Sequence, residues 1–183
     1  MLEFTPPEFR TEAVCLAALE NYPIALEYVP EEFKTQEICI RAMQKNGRAI
    51  KYLPVDFITD VFCRQAVEEH ASAIFSIPEQ YQTEELWRIA VSGYGYALKF
   101  LPASYMSEEF CRLAVSNFGE ALKLVPDKYK TKEVFFAAVR EDGRMLKYVD
   151  VSKLTKEEYT AICRLALERK EIKNLYFSLD ILY

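Results

Sequence analysis

At 183 residues, 51% of them apolar, the chain is long enough to bury a substantial core. Its formal charge of −5, from 23 Lys and Arg against 28 Asp and Glu, argues against nucleic acid as the main partner, because binding phosphates takes clustered bases. No apolar run reaches bilayer-spanning length, and the opening Met-Leu-Glu-Phe-Thr-Pro-Pro-Glu has neither the basic flank nor the apolar stretch of a signal peptide. The expectation is therefore a soluble, cytoplasmic protein with no membrane partner.

Along the chain, Pro6, Pro30, Pro54, Pro78, Pro102 and Pro126 stand 24 residues apart, and Asp150 takes the next slot. A fixed period of this size marks a stacked repeat protein. The units fall near residues 6–29, 30–53, 54–77, 78–101, 102–125 and 126–149, followed by a divergent cap at 150–183, all within one repeat domain over 1–183. The first forty residues are the acidic end, with Glu3, Glu8, Glu12, Glu20, Glu27, Glu31, Glu32 and Glu37 against Arg10 and Lys34. That excess reads either as a solvated face or as a docking patch for a basic partner.

Within each unit the pattern starts as P-x-x-[FY]-x-T. The Thr/Ser column (Thr11, Thr35, Thr59, Thr83, Ser107, Thr131, Thr155) is suited to helix N-caps, and acids follow in the first turn of most units. The aromatic before the cap (Phe9, Phe33, Phe57, Tyr81, Tyr105, Tyr129) is placed for a staple-like contact. Apolar residues then recur at helical spacing, as in Phe110, Cys111, Ala114, Val115 and Phe118. An alanine column (Ala18, Ala42, Ala66, Ala90, Ala114, Ala138) lets neighbouring helices approach closely. Gly47, Gly95, Gly119 and Gly143 are expected to end this helix through a left-handed or open conformation. The second element is short (48–53, 96–101, 120–125, 144–149) and carries an Ala-Leu-Lys-aromatic core; helix is preferred over strand because there is no alternation. In the seventh unit Leu167 takes the glycine slot. A longer helix from about Lys156 to Glu171, followed by Leu175-Tyr176-Phe177, reads as a C-terminal cap. The fold expected is thus all-α: a right- or left-handed solenoid of about seven stacked 24-residue two-helix repeats with a C-terminal capping helix.

Candidate chemistry mostly dissolves into the repeat. Cys15, Cys39, Cys63 and Cys111 share one column, and Cys163 sits where other units have valine, so the thiols read as small core residues and not as metal ligands or disulfides. His70 is the single histidine, and no nucleophile–base or metal motif surrounds it. Gly93-Tyr94-Gly95-Tyr96 lacks the strand and the Lys-Ser/Thr of a phosphate loop. No catalytic residue, cofactor or metal is expected, and the chain reads as a non-enzyme.

Two features remain. Arg64, Arg88 and Arg112 form a ladder, with Asp60–Arg64, Glu85–Arg88 and Glu109–Arg112 at helical spacing. It reads either as a self-neutralised face or as an arginine stripe for an acidic segment. The third unit departs from its own rule: Ala71 replaces glycine, Phe75 the usual lysine and Ser76 the usual aromatic. An aromatic where sister units place lysine is expected to be exposed, so Phe75, with Tyr94 and Tyr96, is the candidate hot spot, against the alternative that Phe75 merely compensates for Ser76.

The string Ala-Val-x-x-x-Gly-x-Ala-Leu-Lys-[Tyr/Phe], at Ala90–Phe100 and, ending in Leu, at Ala114–Leu124, resembles an uncharacterised bacterial repeat family, a domain of unknown function found in tandem in bacterial and effector-like proteins. The resemblance implies an α-helical repeat and supplies no catalytic residues. The functional expectation is a protein-binding module, monomeric or weakly self-associating, that sequesters or inhibits a protein partner in an immunity, anti-defence or effector-like role. A self-assembling structural block, the acidic first units meeting another chain's Arg164–Lys173 end, is the alternative.

Overall fold

The computed structural model describes residues 2–168, and every regular element among them is helical. Seven α-helices recur at the period of the prolines: α1 Glu12–Asn21, α2 Gln36–Lys45, α3 Asp60–Glu69, α4 Glu84–Gly93, α5 Glu108–Asn117, α6 Lys132–Glu141 and α7 Lys156–Glu168. The chain gathers into two compact units, Met1–Gly93 with α1–α4 and Tyr94–Tyr183 with α5–α7. The fold is an all-α repeat; the expected tail Leu175-Tyr176-Phe177 and the last turn up to Glu171 lie outside the described residues.

Each α-helix starts where the Thr/Ser column places it. All seven hydroxyls accept from the backbone amide three residues on, at 3.2–3.5 Å, which satisfies one of the orphan donors of the first turn. At α7 the exchange is reciprocal: the Thr155 amide also donates to Glu158 Oε2 at 2.9 Å, a full capping box.

Helix termination works differently from the expectation. One extended residue (Tyr22, Asn46, His70, Tyr94, Phe118, Asp142), with φ near −135° to −156° and ψ of 80–105°, closes each α-helix and opens the next element. The glycine that follows has no left-handed φ at Gly47, Gly95 or Gly119. Its role is close approach. A Cβ on Gly47 would lie 2.2 Å from the Ala66 carbonyl oxygen, one on Gly95 2.7 Å from the Phe118 side chain, and one on Gly119 2.9 Å from the Ala138 oxygen. The third repeat inverts this pairing: the methyl of Ala71 in the glycine slot meets Gly93, where a Cβ would come within 2.7 Å. Gly93 is therefore the partner of Ala71, which accounts for half of the Gly-Tyr-Gly-Tyr string.

The second elements are six-residue 3-10 helices: Pro23–Tyr28, Gly47–Tyr52, Ala71–Ser76, Gly95–Phe100, Gly119–Leu124 and Gly143–Tyr148. Six residues confined between an extended residue and the next proline close more hydrogen bonds with i→i+3 geometry than with i→i+4. The repeat also holds a third helical piece that the sequence reading missed. In P-x-x-[FY] the aromatic amide bonds back to the proline carbonyl at 2.9–3.0 Å in all six units, forming a single tight turn. Five of the six repeats described from sequence as two-helix therefore contain three helical pieces, and in the one from Pro102 the same bond closes a turn.

The core runs along the columns. Cys15, Cys39, Cys63 and Cys111 are fully buried, as are Ala42, Ala66, Ala90, Ala114 and Ala138 on the α-helices and Leu26, Ile50, Ile74, Leu98 and Leu122 on the 3-10 helices. Each fully buried aliphatic side chain contributes about 1.5–3 kcal/mol, so helices too short to persist alone are held by their neighbours. All five thiols are free and buried, and burial pushes those of Cys39, Cys63 and Cys111 up to about 11. The thiolate, which is the reactive form, is therefore scarce near neutrality. Ellman's reagent is expected to leave the native chain unlabelled on the timescale of minutes and to titrate all 5 thiols once urea unfolds it.

Candidate functional site

In the first unit, the Arg64 guanidinium reaches Glu85 on the next helix at 2.7 Å and Glu68 at 3.9 Å, in place of the expected Asp60. The bond to Glu85 holds Arg64 above its ordinary pKa. Arg88 pairs with Glu84 at 3.2 Å, one residue earlier than the spacing suggested. Arg112, in the second unit, is exposed and lines an open groove of about 470 Å³ with Ser116, Glu133, Phe136 and Arg140. The three arginines thus differ in company: Arg64 and Arg88 are drawn into local ion pairs, whereas Arg112 faces a groove.

Phe75 is 44% exposed, and its ring stands edge-on to Trp87 with centroids 6.1 Å apart. It is an exposed aromatic and a packing partner at once. Its position belongs to the first unit; Tyr94 and Tyr96 belong to the second.

Tyr94 and Tyr96 open a connected surface within the second unit. Their rings lie 5.9 Å apart and are 40% and 42% exposed. The Tyr96 hydroxyl donates to Glu120 Oε2 at 3.0 Å, and Lys123 pairs with the same carboxylate at 3.5 Å. The Tyr96 hydrogen bond and then Lys123 hold the Glu120 carboxyl below its usual range, and the same bond raises the Tyr96 phenol. Lys123 in turn sits 5.2 Å from the Tyr148 ring centroid, with Lys147 on that ring at 5.0 Å, while Lys99 stands 5.7 Å from the ring of Phe100. Phe100 is 58% exposed and Tyr148 40%. The 3-10 helices Gly95–Phe100 and Gly143–Tyr148 thereby carry aromatic rings, with lysines on both and on Gly119–Leu124 between them.

Sequence reasoning grouped Tyr94 and Tyr96 with Phe75 and took the lysine column as exposed, but it did not single out Lys99, Phe100, Lys123, Lys147 and Tyr148, because these residues obey the repeat. The 3-10 period finds the lysines but not Phe100 and Tyr148, which fall in register with the buried Ala97 and Met145. With three residues per turn, Gly95 and Leu98 share the buried side, whereas Tyr96 and Lys99 share the exposed one.

Other features carry less chemistry. His70 Nδ1 accepts the Gly47 amide at 3.1 Å, a packing role at a repeat junction. Among the described residues, no group of three His, Cys, Asp or Glu converges as a metal site, and no helix is long and apolar enough to cross a membrane.

Neither the curated proteins nor the solved structures include a match to this chain. A family model does match, twice: the one described as Domain of unknown function (DUF4116), over residues 11–58 and 107–154. Each match begins at a helix-capping hydroxyl, Thr11 or Ser107, and runs through two 24-residue repeats. Because the two segments together cover more than half of the 183 residues, the chain belongs to the DUF4116 family.

Proposed function

We propose that this chain is a non-catalytic binding module that captures an acidic polypeptide segment on the outer face of the short helices of its second unit. One observation carries the reading: Tyr94, Tyr96, Phe100 and Tyr148, each 40% exposed or more, stand among Lys99, Lys123 and Lys147 on three adjacent 3-10 helices. Exposed aromatic rings supply anchoring area at low entropic cost. The lysines give the surface a positive field; Glu120 is already engaged by Tyr96 and Lys123, and Asp142, also within reach of Lys123, is paired with Arg144. Such a module acts by occupying its partner, which suits sequestration or inhibition, including the immunity, anti-defence and effector-like roles.

The test is photo-crosslinking in cells, with a photoreactive amino acid in place of Phe100 and, as control, in place of Val55, an exposed residue of the first unit. A discrete adduct is expected from position 100 and not from position 55, weakened by Lys99→Glu/Lys123→Glu. No adduct at position 100, or the same adducts from both, would refute this reading.

A further inference from the structure

The first repeat leaves a stacking face open, and the geometry points to its occupant: helix α7 of a second copy of this chain. At the junction of α1 and α2, Leu16, Leu19 and Glu20 of α1 pack against Ile38, Arg41, Ala42 and Lys45 of α2, and Lys45 pairs with Glu20. Moving back one 24-residue period, the receiving residues become Val14, Ala17, Ala18 and Asn21. These four line an open cavity of about 510 Å³, floored further by Ile24, Ala25 and Tyr28. The face is the same mould without its insert.

Exposure shows that it is unfilled. Val14 is 40% exposed, against 3% for Ile38, 4% for Leu86 and 0% for Val134 in the same column. Ala18 and Ala25 are partly exposed, whereas Ala42 and Ala49 are fully buried. The 3-10 turn Leu2–Phe4 covers only part of it, through Leu2.

Charge selects the insert. On α2 the receiving face carries Arg41 and Lys45 and takes the acidic Glu20. On α1 those two positions are Ala17 and Asn21, and the cavity is instead rimmed by Glu3 and Glu27. An insert with a basic residue where α1 has Glu20 fits. Down that column the residues are Glu20, Gln44, Glu68, Ser92, Ser116, Arg140 and Arg164. Of the two basic ones, Arg140 belongs to α6, which α7 follows in the same unit, so Arg164 on α7 remains. It is exposed on a stripe with Thr160 and Leu167, at i, i+4 and i+7. The sequence from Arg164 to Lys173 holds four bases and two acids, opposite in sign to the first forty residues. The contact is heterologous, so each added copy presents a fresh open face.

Sedimentation of the full chain over a concentration series tests this. The wild type is expected to gain mass with concentration and to lose that gain at high salt, where charge pairing is screened. Val14→Glu in the cavity and Arg164→Glu on α7, both exposed positions, are each expected to weaken association at least tenfold. Ala17→Arg serves as a second, independent cavity variant. An equimolar mixture of Val14→Glu and Arg164→Glu retains one intact face of each kind, so it is expected to form dimers and nothing larger. A wild type monomeric at every concentration and salt overturns the proposal, as does association untouched by either cavity variant. A mixture that stays monomeric does so as well, since it still holds one intact cavity and one intact α7 for the heterologous contact.

Discussion

Gly47→Ala is expected to destabilise the fold by about 3 kcal/mol, at the upper end of ordinary overpacking, and to lower Tm by about 10 °C for a chain of this size. The backbone at Gly47 is not left-handed, so conformational strain is not the cause. The added methyl would lie 2.2 Å from the Ala66 oxygen, 2.9 Å from its carbonyl carbon and 3.0 Å from its Cα, all backbone atoms of α3. That carbonyl cannot swing aside without loss, because it accepts the His70 amide at 3.0 Å and so closes the last turn of α3. Moving Gly47 away instead would break its own amide bond to His70 Nδ1. Gly95→Ala makes the control. Its new methyl would come no closer than 2.7 Å, to the Phe118 Cβ; the ring can turn aside although that Cβ is fixed to the backbone, so a smaller loss than at Gly47 is expected. Thermal melts followed by circular dichroism check both. Equal losses at the two positions would contradict the account of glycine as a site of close backbone approach.

The contrast between these glycines shows what the sequence carried and what it did not. The period, the capping hydroxyls and the buried cysteine and alanine columns were legible because each rests on local chemistry repeated in register: a hydroxyl three residues before an orphan amide, or a small side chain on one face of a ten-residue helix. Glycine's role was not legible, because a left-handed exit and a close approach leave the same residue in the sequence, and only the neighbouring repeat distinguishes them. The same holds for Arg64. Its intrahelical spacing to Asp60 was visible, but Glu85, its partner at 2.7 Å, comes from the next helix. The candidate surface was half legible. Tyr94 and Tyr96 stood out as departures from the repeat, whereas Phe100 and Tyr148 obeyed it and were not singled out. The open face of α1 was hidden for a related reason: Val14 is apolar like Ile38, Phe62, Leu86, Phe110 and Val134 in its column, and only the missing neighbour exposes it.

Trp87 offers the sharpest separation of packing from hydrogen bonding. It occupies a column that is cysteine in four other units and is 3% exposed, yet its indole Nε1–H has no hydrogen-bond acceptor among the described residues. A buried, unsatisfied donor costs about 1–3 kcal/mol, so this ring is retained for its bulk and not for its polar atom. Trp87→Phe removes the donor while keeping most of the volume and the edge-on contact with Phe75. The two effects oppose each other, and its stability is expected to stay within about 1 kcal/mol of the wild type. Trp87→Ala leaves a cavity under Phe75 and is expected to cost about 3–5 kcal/mol. Urea denaturation followed by far-UV circular dichroism distinguishes the two, tryptophan fluorescence being lost in both variants. If phenylalanine proved as damaging as alanine, the Nε1–H would have to be making an interaction that stabilises the native chain, and the packing explanation for the only tryptophan would fail.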